Sequence, residues 1–326
     1  MSAPYFIYEG RVLIYKLKWR IFDSESCCRL NLEMSGDIIW MEIYLKEGCK
    51  MCTSFAVYSQ KKAIYGMNFD TDDIDLKLKV SSYNDRNLFF FSALVDNQYR
   101  DIAGFNSEGL FICTQAVQYS TGFKSSCDEN DWFAFDTFDE ALKKTRKASE
   151  FYDILNKRVI SYPRNPLYPD LGLHTMIADK TGDAFILEEG DVTNIVSPIH
   201  NDFIIMTNFP NGDFKEVNYN KVNGIGADRY ICAHEYIHNN IHSFGINEAF
   251  EVLSKTSQEN TLCSIVYEAA KNEIYISFKI DLSKKWKISM IEKTIQSLEG
   301  LLNNNKIQFT NEEIFVKDLI SLYKWV

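Results

Sequence analysis

Residues 51–70, MCTSFAVYSQKKAIYGMNFD, place two apolar, strand-length stretches (52–59 and 63–70) on either side of a polar Gln60, Lys61 and Lys62. Runs of this length rich in Val, Ile, Phe and Tyr suit a pleated, buried surface, and a short polar link between two of them predicts a β-hairpin. The hairpin opens on a methionine followed by a cysteine, fifty residues into the chain. A cysteine that begins a mature chain carries an α-amino group within reach of its own thiol. That amine titrates near pH 7.7–8.0 when unperturbed, so it can act as the nucleophile's base.

Further strands are expected at 88–95 and 109–117, the second preceded by the turn-forming GFNSEG. Thr137 and Glu140 form a capping-box pattern that predicts a helix start, with Phe138, Ala141, Leu142, Ala148, Phe151 and Leu155 on one side. Residues 161–172, punctuated by three prolines, read as a long surface loop. A hairpin follows in LHTMIADKTGDAFILEEG (173–190), then a strand in DFIIMTNFP (202–210) that reaches Asn208. Helices are expected at about 226–242 and 247–257, a late hairpin at 264–280, and a C-terminal helix capped by Thr310 and Glu313. Strand pairs alternate with helix pairs, which predicts an α+β fold of layered antiparallel sheets and excludes a doubly wound parallel one.

Composition excludes several classes of function. A net charge of −10 and a pI near 5.1 oppose a surface built to neutralise nucleic-acid phosphates or anionic lipid. No apolar run approaches the roughly 20 residues of a membrane span. Glu9, Arg11, Lys16 and Lys18 interrupt the N-terminal segment, so no apolar signal region is expected and the cytoplasm is the expected location. Eight irregularly spaced cysteines suit reduced thiols, and the single pair Cys49 and Cys52 is read as chance spacing, not a zinc or redox motif.

Several segments, in order, resemble the choloylglycine hydrolase family of N-terminal-nucleophile hydrolases, which includes bile salt hydrolases, penicillin V acylases and other linear amide hydrolases. The resemblance spans about residues 51–280. MCTSF resembles the family's opening Met-Cys-Thr, which implies Cys52 as nucleophile. YGMNFD resembles its Gly-Arg-Asn-Met/Phe-Asp, which implies Asp70 as the carboxylate beside it. FNSEGLF resembles its Asn-Glu-x-Gly-Leu turn. The histidine-led hairpin followed by IIMTNFP implies Asn208 as the active-site asparagine, and GADRY implies Arg229 as the active-site arginine. Gln115 and Asn68 are further candidates for contact with substrate or oxyanion.

The family likeness implies a four-layer αββα sandwich, a bacterial cytoplasmic enzyme, a small N-acyl amide as substrate, no cofactor or metal, and a homotetramer by analogy. Substrate specificity is expected to lie in loops at 71–87, 118–135 and 161–172. One departure is plain: Met67 replaces the family's arginine after the glycine, which removes a cation from the neighbourhood of the thiol.

Two other readings compete. HEYIH at 234–238, with His242 one turn on, matches the HExxH pattern of zinc metalloproteases. At about 100° per residue, however, His234 and His238 lie about 140° and about 180° around the helix from Arg229, so the two motifs cannot line one pocket. A non-catalytic binding protein on the same scaffold is the third reading, because Cys52 has no amine while residues 1–51 remain attached. The expected division is therefore an upstream extension, 1–51, and one hydrolase domain, 52–326. The extension is read as a propeptide, a structured addition or a misassigned start. The last is favoured because Glu47-Gly48 back-translates to a purine-rich string, like a ribosome-binding site, just before Met51.

Overall fold

The computed structural model describes residues 5–8, 11–14, 17–19, 27–34, 37–44, 52–71, 74–95, 97–118, 132–156, 159–162, 171–190, 193–278, 281–298, 306–309 and 311–322. The chain falls into two compact units, residues 1–49 and 50–326. In the first, β1 (Tyr5–Tyr8) and β2 (Arg11–Ile14) form an antiparallel pair, and β3 (Leu17–Trp19), β4 (Cys27–Met34) and β5 (Asp37–Tyr44) form a three-stranded antiparallel sheet.

The second unit opens with the expected hairpin, β6 (Thr53–Ser59) and β7 (Lys62–Asp70). Gln60 and Lys61 both have positive φ, 48° and 67°, the geometry of a two-residue turn whose twist matches that of the flanking strands. A meander follows: β8 (Leu76–Tyr83), β9 (Arg86–Val95), β10 (Gln98–Asn106) and β11 (Phe111–Gln118). Then come the short parallel pair β12 (Trp132–Phe133) and β13 (Ile160–Ser161), and β14 (Leu171–Ala178), β15 (Ala184–Glu188), β16 (Ile195–Pro198) and β17 (Phe203–Met206). The chain closes through β18 (Thr261–Glu268), β19 (Glu273–Phe278), β20 (Lys285–Ser289), β21 (Thr294–Ser297), β22 (Lys306–Gln308) and β23 (Glu313–Phe315).

These strands build two eight-stranded antiparallel sheets, ordered β17-β6-β7-β18-β19-β20-β21-β22 and β16-β15-β14-β11-β10-β9-β8-β23. The first carries α3 (Ala227–Asn240) and α4 (Ile246–Lys255), and the second carries α1 (Ala134–Lys144) and α2 (Ala148–Leu155). Strand periodicity shows how the layers stack. On β7, Ala63, Tyr65, Met67 and Phe69 join the core between the sheets, while Ile64 turns to α3 and α4 with Phe55 and Val57 of β6. On β9, Phe89, Phe91 and Ala93 face the other sheet, while Leu88 and Phe90 face α1 and α2. The result is the αββα sandwich expected from the sequence. With both faces covered, its central strands read as continuous apolar runs. At Gly66 an added Cβ would lie 2.2 Å from the Phe55 ring, so that ring packs where a side chain would stand.

Several elements differ from expectation. The helix expected to start at Thr137 starts at Ala134 and is two helices, α1 and α2. Asn106 Nδ2 donates to the Leu142 and Thr145 carbonyls and ends α1, while the Ala148 N–H donates to Asp179 and begins α2. Glu140, expected to cap, instead pairs with Lys144 at 2.7 Å. Much of the expected loop at 71–87 is β8, and part of 118–135 lies in α1; residues 119–131, and 163–170 of the third loop, lie outside the described residues. The C-terminal helix, α5 (Val316–Leu322), starts after β23, so Glu313 is in a strand, and Thr310 lies outside the described residues.

Candidate active site

Register brings four segment ends together. Met206 pairs with Ser54 and Thr53 with Asn68, while Asp70 at the end of β7 pairs with Thr261. Cys52 therefore sits at the mouth of β6, beside the end of β7 and the residues that follow β17. Arg229, in the first turn of α3, closes the group.

The buried Arg229 guanidinium is the hub. Nη1 donates to the Cys52 carbonyl at 2.6 Å and to Thr53 Oγ1 at 2.9 Å, and Nη2 donates to Asn208 Oδ1 at 2.7 Å. Asn208 is fixed further: its Nδ2 donates to the Ala116 carbonyl at 2.6 Å, and its own carbonyl accepts from the Gln118 N–H at 2.7 Å. Gly226, which no sequence motif singled out, has φ of 81°, and a Cβ there would lie 2.4 Å from Arg229 Nη2. The glycine lets the guanidinium lie against the start of α3. Its visible signal is its place just ahead of the helix in GIGADRY.

Asp70 is completely buried. Its Oδ1 accepts from Thr261 Oγ1 at 2.6 Å, but Oδ2 has no hydrogen-bond partner among the described residues. Burial raises the carboxyl to about 7, against smaller opposing effects of the Thr261 bond and Arg229. The Cys52 thiol is pushed up to about 12, first by burial and then by the Asp70 charge; the Asp70 backbone and Arg229 pull the other way. At neutral pH this thiol stays protonated, so attack requires a base close by.

Gln115 on β11 bridges the two sheets: Oε1 accepts from Ser54 Oγ at 2.9 Å and Nε2 donates to the Thr207 carbonyl. His174, on the neighbouring strand, also reaches the Thr207 carbonyl, from Nε2 at 2.8 Å.

No protein-family model matches the sequence, and no curated protein matches it. Solved structures do. An arginine-to-leucine variant of conjugated bile acid hydrolase from Clostridium perfringens superposes with TM-score 0.54 at 16% identity, covering 78% of this chain and 98% of that one. A cysteine-to-alanine variant of the same hydrolase gives TM-score 0.53 at 14% identity, over 79% of this chain and 96% of that one. Penicillin V acylase from Agrobacterium tumefaciens gives 0.55 at 14% identity, over 76% and 91%. This chain shares the αββα sandwich fold of these solved structures.

Within that fold, Cys52, Asn208 and Arg229 are joined directly, and Asp70 acts on the thiol through its charge and backbone. Asn68 lies elsewhere. Its Nδ2 donates to the Leu253 carbonyl at 2.8 Å and its Oδ1 accepts from Ser264 Oγ at 2.6 Å, so its side chain secures α4 instead of facing the thiol. Asn68 is therefore not among the side chains that the structure brings together at Cys52. Strand alternation accounts for the difference, because Met67 and Phe69 take the intersheet face beside Cys52.

The HExxH residues are also apart from this group. His234 stacks on Tyr219 at 3.9 Å and meets Phe203 edge-on at 5.0 Å, while Glu235 and His238 are exposed. Among the described residues no cluster of three or more His, Cys, Asp or Glu could hold a metal. Cys52, Cys113, Cys232 and Cys263 are free thiols, and Cys49 lies outside the described residues. Among the described residues no helix is long and apolar enough to cross a membrane.

Proposed function

We propose that this protein is a cysteine amidohydrolase of the choloylglycine hydrolase type, cleaving the linear C–N amide bond of an N-acylated small molecule with Cys52 as the first residue of the working chain. One observation carries the reading: a single buried guanidinium holds both the Cys52 backbone and the Asn208 side chain. It thereby fixes the nucleophile relative to the oxyanion donor.

The Cys52 sulfur attacks the amide carbonyl and its proton passes to the α-amine of the same residue. The carbonyl π electrons move to oxygen, and Asn208 Nδ2 donates to the resulting oxyanion. Collapse breaks the C–N bond, and the ammonium returns the proton to the departing amine. Water then attacks the thioester, the α-amine accepts its proton, the C–S bond breaks and the thiol is restored as the carboxylic acid leaves. The buried Asp70 supplies the carboxylate that holds the α-ammonium, for which the unpartnered Oδ2 is suited. Arg229 orients the group and balances its charge. Gln115 acts through Thr207.

Residues 1–51 are not part of the working enzyme in this reading, whether removed as a propeptide or never translated with it. The substrate lacks the arginine contact that the family has where Met67 stands here, so it is recognised through its acyl group more than through an anionic tail. A bacterial cytoplasmic setting follows from composition and family likeness, and a homotetramer from family analogy alone. A non-catalytic binding role is the second reading. The raised thiol proton affinity favours it for any chain that keeps residues joined ahead of Cys52.

The test is hydrolysis of a panel of linear N-acyl amides, including penicillin V and a conjugated bile acid, by a chain beginning at Cys52. Intact-mass detection of an acyl adduct on Cys52 that vanishes in Cys52→Ala supports the proposal. Turnover that persists in Cys52→Ala overturns it.

A further inference from the structure

A row of three side chains on one sheet grips the segment that carries Asn208 on the other. Gln115, His174 and Glu188 stand side by side on β11, β14 and β15, paired in register Gln115 with His174 and His174 with Glu188. All three are buried. Gln115 Nε2 and His174 Nε2 converge on the Thr207 carbonyl, which belongs to the peptide bond leading into Asn208. Glu188 takes the far side of the same segment, its Oε1 accepting from the Asn211 N–H at 2.8 Å and its Oε2 from the Gly212 N–H at 2.7 Å. His174 Nδ1 faces Glu188 Oε1 at 3.3 Å. Both imidazole nitrogens thus meet oxygen acceptors, and the carboxylate sets the ring's orientation.

A buried polar network is a weak device for stability compared with apolar packing, but it fixes geometry. Here the geometry fixed is that of residues 207–212. A peptide plane held by two donors on its carbonyl cannot rotate, so the direction in which Asn208 leaves the backbone is set. Oxyanion stabilisation depends on donor placement at hydrogen-bond precision.

We propose that His174, oriented by Glu188, is a positioning residue that fixes the Thr207–Asn208 peptide and through it the oxyanion-stabilising amide of Asn208. This rests on the amidohydrolase reading above. His174 does not touch the thiol or the substrate; it acts through Asn208.

The experiment is a double-mutant cycle on a chain beginning at Cys52, with amide turnover and the rate of Cys52 alkylation by iodoacetamide measured side by side. Alkylation uses the thiol but forms no oxyanion. Asn208→Ala is expected to lower kcat by about 10²–10³-fold. His174→Leu is expected to lower kcat by up to about 100-fold, the scale of a small misplacement of a catalytic group, with KM and the alkylation rate within about threefold of the parent. His174→Gln, which keeps an N–H for the Thr207 carbonyl, recovers part of the loss. In the Asn208→Ala background the His174 effect shrinks to about twofold or less. Glu188→Gln provides the same cycle if His174→Leu does not fold.

An equal fold-loss in both backgrounds, a parallel fall in alkylation, or no change in kcat would overturn the positioning role while leaving the amidohydrolase reading intact. Turnover that survives Cys52→Ala would instead overturn the underlying reading.

Discussion

Two aspartates, Asp179 and Asp70, are both completely buried, and their surroundings differ in kind. Asp179 Oδ1 accepts from the Thr181 N–H and hydroxyl at 2.7 and 2.6 Å, and Oδ2 from the Ala148 N–H at 2.7 Å. Both oxygens are engaged, and the result is a turn tied to the start of α2. Asp70 has one donor, Thr261, and an oxygen with no partner among the described residues. Leaving a buried polar group unmatched costs about 1–3 kcal/mol, more for a charged one. Where the surroundings complete the hydrogen bonds, the carboxylate is scaffold; in the proposed reading, the open oxygen beside the thiol is the place for the α-ammonium of a chain that begins at Cys52.

The sharpest break between the two regions is expected in turnover. Cys52→Ala should lower kcat by roughly 10⁴-fold or more with little change in unfolding midpoint, measured by amide hydrolysis and by urea titration. Asp179→Ala should do the reverse. The loss of three hydrogen bonds, one of them to a helix start, costs about 2–4 kcal/mol, while kcat of the folded fraction stays within about threefold.

The pH dependence of stability refines the comparison. In a chain that retains residues ahead of Cys52, folded Asp70 holds its proton to about 7, against about 3.9 for an unperturbed aspartate. Between those values the folded state binds more protons than the unfolded state, so stability falls as pH rises, by on the order of 4 kcal/mol across the window. Urea unfolding at pH 4 and pH 7.5 should show this fall, and Asp70→Asn should remove it. A chain beginning with a free ammonium at Cys52 should show a much smaller fall, because the adjacent positive charge favours the carboxylate.

The smallest effect is expected on the other motif-bearing face. His238→Ala should change turnover by less than about twofold, and prior treatment with a chelator should leave turnover unchanged. Loss of activity on chelation would restore the zinc reading.

The architecture was legible because its signals are local. The β6–β7 hairpin shows in apolar runs around a polar turn, and α3 and α4 in their helical periodicity. The Asn106 motif was visible as a turn, but its larger role was not: the same side chain ends α1 through carbonyls 36 and 39 residues on, a long-range contact that no local pattern reports. The break between α1 and α2 was missed for that reason. By contrast β8 was missed although Leu76, Leu78 and Val80 alternate plainly with polar residues and face the core.

At the site, Cys52, Asp70, Asn208 and Arg229 were named through motif order, whereas composition and spacing alone gave none of their geometry. Asn68 shows the limit of that route, since a residue inside a motif faces α4 because strand alternation turns it there. Gly226, His174 and Glu188 were not recognised as parts of the site. Their contributions appear only once β17, β14, β15 and α3 are brought together.

The most direct test is the identity of the first residue in catalytically active protein isolated from its natural host, by N-terminal sequencing with intact mass. The account predicts Cys52 with an unblocked amine and a chain of residues 52–326. Active protein in which Met51 or any earlier residue remains joined to Cys52 through a peptide bond would contradict it.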